Sequence, residues 1–287
     1  MLHIKKILLP VDFPSPAIPV IHQAATLARQ FDSEILMLHV ATEHSYTSGV
    51  PRGTELAHWD LRAEILKAGV NDPQHSLQSV LNGLTIRALV IAGDPFLKIV
   101  KTAREQSADL IMMPSHGFTF SQFLLGSVTA KVLDWEPCPL WTGAHVDEPP
   151  TKKFAINKIL CAVDFGLRSD RAVMWASQMA SEFNAKLTLA YVTPGVEFWG
   201  PGGYSVNQEW KEALVRNASR QMAELQQRLD TNAEVFIGSG DVPKVLGEAA
   251  RQTNADLLVT GSYPYGVHLR THGYAIMCAV PVPVLNI

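Results

Sequence analysis

Short continuous apolar runs alternate with stretches of helical spacing along the first half of the chain, and that alternation predicts its elements. Lys6 to Val11 is an apolar run bounded by proline and aspartate, the pattern of a strand buried on both faces. Ile18, Ile21, Ala24, Ala25 and Ala28 then recur at helical spacing through Phe31, and Ser15-Pro16 ahead of them offers a cap hydroxyl and a proline for the first turn. Glu34 to Val40 reads as a second strand. A polar stretch from Thr42 to Arg52 leads to one or two helices between Glu55 and Leu81, and Leu84 to Ala92 reads as a third strand. Pro95 opens a helix that runs to Gln106, and Leu110 to Met113 is a fourth strand. Ser127 to Asp134 forms a last helix and Leu140 to Thr142 a short last strand. This order predicts an α/β fold with a parallel sheet covered on both faces and joined by right-handed crossovers. Ligands of such sheets sit beyond the carboxyl ends of the strands where the strand order reverses, so functional residues are expected after strands one and four.

The pattern then starts again. Lys6-Ile7-Leu8-Leu9-Pro10-Val11-Asp12-Phe13 returns as Lys158-Ile159-Leu160-Cys161-Ala162-Val163-Asp164-Phe165, an offset of 152 that also maps Ala24, Ala28, Phe31 and Val40 onto Ala176, Ala180, Phe183 and Val192. Further on, Gly93-Asp94 matches Gly240-Asp241 and Ala108-Asp109-Leu110 matches Ala255-Asp256-Leu257, both at offset 147. Pro137-Cys138-Pro139-Leu140 matches Pro281-Val282-Pro283-Val284 at offset 144. The shrinking offset places deletions of five and then three residues in loops of the second copy, where length changes are tolerated. Gly143 to Lys153 is polar and carries Pro149-Pro150, the composition of a semi-extended linker. It predicts one domain over residues 1–146 and another over 147–287.

Composition narrows the chemistry. The 24 basic and 27 acidic residues leave a net charge of −3, so no basic field is present to carry a phosphate backbone, and nucleic acid is not an expected partner. A membrane is not expected either, because the run from Ile7 to Val11 is too short for a signal core or a span. Three cysteines with no close pair, Cys138, Cys161 and Cys278, suggest neither a disulfide framework nor a thiolate metal site, and they predict a cytoplasmic protein with packed thiols. His268 and His272 are four apart, the spacing of a metal pair on a helix, but no third ligand is identifiable. No positioned base, nucleophile elbow or Walker loop can be named.

The segment between strand four and the last helix carries the candidate chemistry. Gly117 and Gly126 permit close backbone approach, and a helix beginning at Ser127 offers free N–H groups and a positive dipole end to an anion. The alternative reading makes Gly117 a turn and Gly126-Ser127 a helix cap.

Val11-Asp12-Phe13 after strand one, Gly93-Asp94-Pro95 before the third helix, and His116-Gly117 followed by Gly126-Ser127-Val128 ahead of Pro137-Cys138-Pro139 together resemble the universal stress protein family, over nearly the whole chain and twice. The resemblance implies two tandem doubly wound parallel-sheet domains of the adenine nucleotide alpha hydrolase-like kind, each with a five-stranded sheet. Its ATP-binding members use a loop of the form Gly-X2-Gly-X9-Gly-(Ser/Thr). Here Pro114 stands at the first glycine, Gly117 matches the second, and eight residues precede Gly126-Ser127. Proline removes one N–H donor and fixes φ. By the same resemblance, Asp12 and Val40 match positions beside the adenine, Gly93 with Pro95 matches the edge near the ribose, and Gly117, Gly126 and Ser127 belong to the phosphate loop; His116 is a further candidate contact to a phosphate, and Pro10 and Val128 complete the expected set. Each also has a plainer reading: Asp12 as a turn or helix cap, Val40 as strand-end core, Gly93 as a turn and His116 as a solvated loop side chain.

The second copy keeps Asp164, Val192, Gly240 and Asp241, but its loop has Gly261 at the first glycine, Pro264 at the second, and fewer residues. Counting back from Pro281 aligns Arg270 with Gly126 and Thr271 with Ser127, so a side chain replaces the close backbone approach. The expected ligand is therefore ATP in the first domain, with AMP or ADP as alternatives and Mg as a companion, in a stress-response or signalling protein. A scaffold that has kept the fold and lost the site, and a slow ATP hydrolase, are the competing readings. The resemblance further implies that the last strands of the two domains pair within one chain as an intramolecular pseudo-dimer, with a homodimer open.

Overall fold

The computed structural model describes residues 2–12, 18–42, 77–114, 126–135, 137–143, 154–166, 168–195, 197–200, 203–206, 208–261 and 270–287. The chain divides into two compact units, essentially His3–Ala155 and Ile156–Ile287.

In the first unit, β1 (Lys6–Pro10), β2 (Glu34–Ala41), β3 (Ile86–Ala92), β4 (Leu110–Met113) and β5 (Leu140–Thr142) form a parallel sheet in the order β5-β4-β1-β2-β3. The helices are α1 (Ile18–Phe31), α2 (Leu77–Leu81), α3 (Pro95–Glu105) and α4 (Ser127–Trp135). Ser15-Pro16, the expected opening of α1, lies outside the described residues. The expected third strand starts two residues late, because the Leu84 N–H turns back to the Leu81 carbonyl and closes α2. Burial follows the continuous apolar runs of β1 and β2: Ile7, Leu8, Leu9, Leu36 and Leu38 are fully buried, as strands covered on both faces require.

The second unit repeats the plan. Strands β6 (Lys158–Ala162), β7 (Lys186–Thr193), β10 (Glu234–Ser239), β11 (Leu257–Thr260) and β12 (Val284–Asn286) pair in parallel in the order β10-β7-β6-β11-β12. Helices α5 (Ser169–Phe183), α6 (Gln208–Leu229), α7 (Val242–Thr253) and α8 (Arg270–Ala279) connect them. An antiparallel hairpin, β8 (Glu197–Gly200) with β9 (Gly203–Val206), stands between β7 and α6. The sequence reading did not anticipate it, although Pro201-Gly202 between residues rich in aromatics is a turn signal.

The repeated Ala-Asp-Leu now has a physical role. Asp109 Oδ2 accepts hydrogen bonds from the N–H groups of Lys5 and Lys6 at 2.8 and 2.9 Å, and Asp256 Oδ2 accepts from Asn157 and Lys158 at the same two distances. Each carboxylate ties the start of its unit's first strand to the start of the fourth, at the amino edge of the sheet. The repeated Gly-Asp also serves as a start signal: Asp94 caps α3 by accepting from the Leu97 N–H at 2.9 Å, and Asp241 caps α7 through Lys244 at 3.2 Å, each followed by a proline in the first turn. Among the described residues, no helix is long and apolar enough to cross a membrane.

Candidate functional site

Both sheets reverse their strand order beside the first strand, with β1 between β2 and β4 and β6 between β7 and β11. The carboxyl ends of these strands therefore define the expected crevice in each unit.

In the first unit, Pro10 is buried at the end of β1, and Asp12 is exposed two residues later. Between them, the Val11 N–H donates to the Leu38 carbonyl at 2.8 Å, and its own carbonyl meets Nδ1 of His39, a buried side chain, at 3.0 Å. His39 fixes the backbone next to Asp12 and was missed by sequence reasoning; an imidazole inside an apolar strand was its only signal. The Val40 side chain packs in the core with Leu38, Ile99 and Met113, and Val128 lies against the same cluster, so both are structural in their side chains.

Gly93 sits past the end of β3 at φ +141°, a conformation that side chains rarely adopt, and its N–H donates to the Ala41 carbonyl at 3.0 Å. A Cβ there would stand 2.6 Å from Lys98 Cε. The lysine stem thus lies directly over the glycine, which places a cation at the carboxyl end of β3. Lys98 was also missed, because its place follows from the glycine's backbone angle and not from any motif.

Gly126 precedes α4 and accepts the first helical bond, from Ala130 N–H at 2.9 Å. The following N–H groups, of Ser127 and Val128, have no carbonyl ahead of them in the helix and are the natural donors to an anion. The Thr129 hydroxyl donates to the Pro114 carbonyl at 3.1 Å, joining the helix start to the end of β4. His116 and Gly117 lie outside the described residues. The structure thus brings Pro10, Asp12, Val40, Gly93 and Gly126 to the carboxyl edge of one sheet.

The second unit departs from this at the same places. Asp164 is a turn residue: its Oδ1 accepts from the Gly166 N–H at 2.8 Å and from the Ser169 hydroxyl at 2.5 Å. Gly240 keeps its positive φ of +124°, and its N–H donates to Thr193 at 3.0 Å, as Gly93 does to Ala41. At the position of Lys98, however, stands Val245, seated so closely on Gly238 that a Cβ there would come within 2.3 Å of it. Gly273 replaces Thr129 and has no hydroxyl for the matching tie. Beyond the ends of β6, β7 and β11 lies a cavity of about 210 Å³ with mostly apolar walls, among them Val163, Val192, Val242, Leu246 and Ile276.

Cys161 is fully buried in β6, and burial pushes its thiol from the ordinary 9.0 up to about 12, so it is a packing residue. Cys138 packs against the first unit's core. Of the His268 and His272 pair, the first lies outside the described residues, and among the described residues no cluster of three metal-ligating side chains occurs.

Residues 3–142 and 155–270 each match the model of the universal stress protein family. The chain belongs to the universal stress protein family. It carries the domain twice, in tandem, on an α/β fold. Over 142 residues, 47% of this chain and 79% of the relative, it is 30% identical to Universal stress protein MJ0531 of Methanocaldococcus jannaschii. A universal stress protein from Archaeoglobus fulgidus superposes with a TM-score of 0.66 at 20% identity, over 99% of this chain and 96% of that one. A functionally unknown protein from Pseudomonas aeruginosa PAO1 superposes at 0.70 with 15% identity, over 99% and 92%. These two likenesses speak for the fold alone.

Proposed function

We propose that this universal stress protein is an adenine-nucleotide sensor in which the domain over residues 1–146 binds ATP, AMP or ADP and the domain over 147–287 does not. The observation that carries the reading is the open helix start at Gly126, a set of N–H donors at the carboxyl edge of the sheet, with Lys98 over Gly93 adding a cation at the end of β3 on the same edge. The residues fit the group: Gly126 admits a phosphate close to the backbone, Ser127 and Val128 donate to it, and Lys98 offsets its charge. Asp12 and the backbone at Val40 flank the base, and Gly93 the ribose. Micromolar binding requires about 8 kcal/mol, and hydrogen bonds to a charged phosphate at about 1.5–3 kcal/mol each reach that only if several are made.

One observation favours the competing reading, a scaffold without a nucleotide: Pro114 has no N–H to offer at the mouth of the loop. Calorimetric titration of the full chain with ATP, ADP, AMP and cAMP separates the two. The last compound is included because another universal stress protein was crystallised in complex with it. Wild-type binding that disappears in Gly126→Arg supports the sensor; equal affinity in that variant removes the first domain from the assignment, and no binding by wild type leaves the scaffold. Product analysis after long incubation tests slow hydrolysis.

A further inference from the structure

The second domain's cavity is walled by aliphatic side chains from four directions: Val163 just past β6, Val192 in β7, Val242 and Leu246 in α7, and Ile276 in α8. Val245 stands where the first domain has Lys98, and Gly273 where it has Thr129, so an ammonium and a hydroxyl of the first domain have no counterpart here. Two charged residues share the described lining, Asp164 and Arg168, and they are of opposite sign. Asp164 is exposed and already turned into its own loop, where its Oδ1 accepts from the Gly166 N–H and the Ser169 hydroxyl. The described lining therefore has no excess charge with which to select an ion. A charge drawn into the hollow would exchange water for mostly apolar walls, which is unfavourable unless a partner meets it.

Size narrows the occupant further. The volume of about 210 Å³ lies below the roughly 300–1,000 Å³ of sites that take drug-sized ligands, so the hollow does not enclose a nucleotide. An apolar cavity of roughly 150 Å³ accepts benzene, which leaves room here for a fused pair of rings. Tyr191 brings an aromatic ring to the lining, and Phe165 backs it with centroids 4.5 Å apart. Phe165 holds φ +59°, an outlier for a bulky side chain, in the turn that directly follows β6. Such an aromatic pair has edges and faces with which a further ring can pack.

We infer that the second domain's cavity is a site for a small uncharged aromatic molecule of about the size of indole, held by the apolar walls and the Tyr191 ring. The chain would then have two inputs of unlike chemistry, an anion in one domain and an uncharged ring in the other.

The test is a titration of the full chain, isotope-labelled at valine, leucine and isoleucine methyls, with indole. The anion 1-naphthoate, the cation 1-naphthylmethylammonium and the polar bicycle adenosine are titrated in parallel. Indole should shift the methyls of Val163, Leu246 and Ile276 saturably, and both ions should bind at least about tenfold more weakly, because their charge is left without a partner. Adenosine should also be weaker, its ring nitrogens facing aliphatic walls. Val242→Phe, which fills the hollow from the partly exposed start of α7, should abolish the indole shifts and leave the Leu225 methyls in α6 at their wild-type positions. Should Leu225 move, the milder Val242→Leu decides, with weakened indole binding expected. Saturating ATP should leave the indole shifts in place. The inference is overturned by an absence of saturable shifts at those methyls, by either ion or adenosine binding as well as indole, by unchanged indole binding in both Val242 variants, or by displacement with ATP. ATP binding to the first domain is read separately at the Val128 methyls, so its failure leaves this result intact.

Discussion

Replacing Gly93 with alanine isolates what the first domain's crevice owes to one backbone angle. At φ +141° an alanine is strained by about 1–3 kcal/mol whatever the space around it. Gly240→Ala, at φ +124°, should incur a similar cost in the second domain. The two differ in their neighbours: the new methyl would stand 2.6 Å from Lys98 Cε in one case and 3.8 Å from the nearest atom, Val245 Cγ2, in the other. A lysine stem is flexible, so the clash itself adds only about 0.5–1.5 kcal/mol as the chain leaves its rotamer, but the ammonium group moves with it. Urea unfolding of the full chain should therefore show comparable destabilisation by both variants, whereas calorimetry should show weakened ATP binding only in Gly93→Ala, with adenosine less affected. A cycle with Lys98→Ala should be less than additive, since removing the stem removes the clash. Wild-type stability in Gly93→Ala, or an equal loss of ATP affinity in Gly240→Ala, would refute the reasoning.

Other substitutions test the frame. Asp256→Ala removes the acceptor of two N–H groups and should destabilise the second domain by about 1–3 kcal/mol, discounted because the carboxylate is partly exposed, measured by urea unfolding; Asp109→Ala should match it in the first. In the first unit's core, the Trp141 indole N–H donates to Gln23 Oε1 at 2.7 Å with both side chains buried. Gln23→Leu and Trp141→Phe should each cost about 1–3 kcal/mol by stranding the partner, and the double variant should cost less than their sum in a thermal-unfolding cycle. The Cys161 thiol, held up at about 12, contributes stability that is complete below pH 9 and falls as the unfolded chain ionises between there and 12. Cys161→Ala should flatten that decline in unfolding measured across the alkaline range.

The fold was legible because its signals are local and recur. Asp109 recurs as Asp256 because each carboxylate accepts from the two N–H groups that open its own unit's first strand, and the Gly-Asp-Pro and Gly-Asp-Val-Pro starts are cap chemistry that any chain must solve within a few residues. The second domain's hairpin was not legible, because the unbroken run Gly200-Pro201-Gly202-Gly203 reads as loop and leaves strands too short to show an alternation. The site was legible only where glycine marks it. Lys98 and His39 act through where the backbone carries them, Lys98 over a positive-φ glycine and His39 onto a neighbouring strand's carbonyl, and neither relation leaves a spacing to find. Val40 packs as strand-end core, one of the two readings its sequence position allows. His116 and Gly117, the centre of the expected loop, lie outside the described residues.

The two aspartate ties sit at the opposite edge of each sheet from the crevice. Evolution could therefore redraw one rim without loosening the other, and an experimenter can do the same by transplant. Moving the first domain's character into the second calls for Arg270→Gly at the helix start and for paired changes at the rim, Val245→Lys together with Gly238→Ile, because that valine fills the space its glycine leaves open. A grafted domain that stays folded and acquires an appetite for phosphate would mark scaffold and specificity as separable parts of one chain.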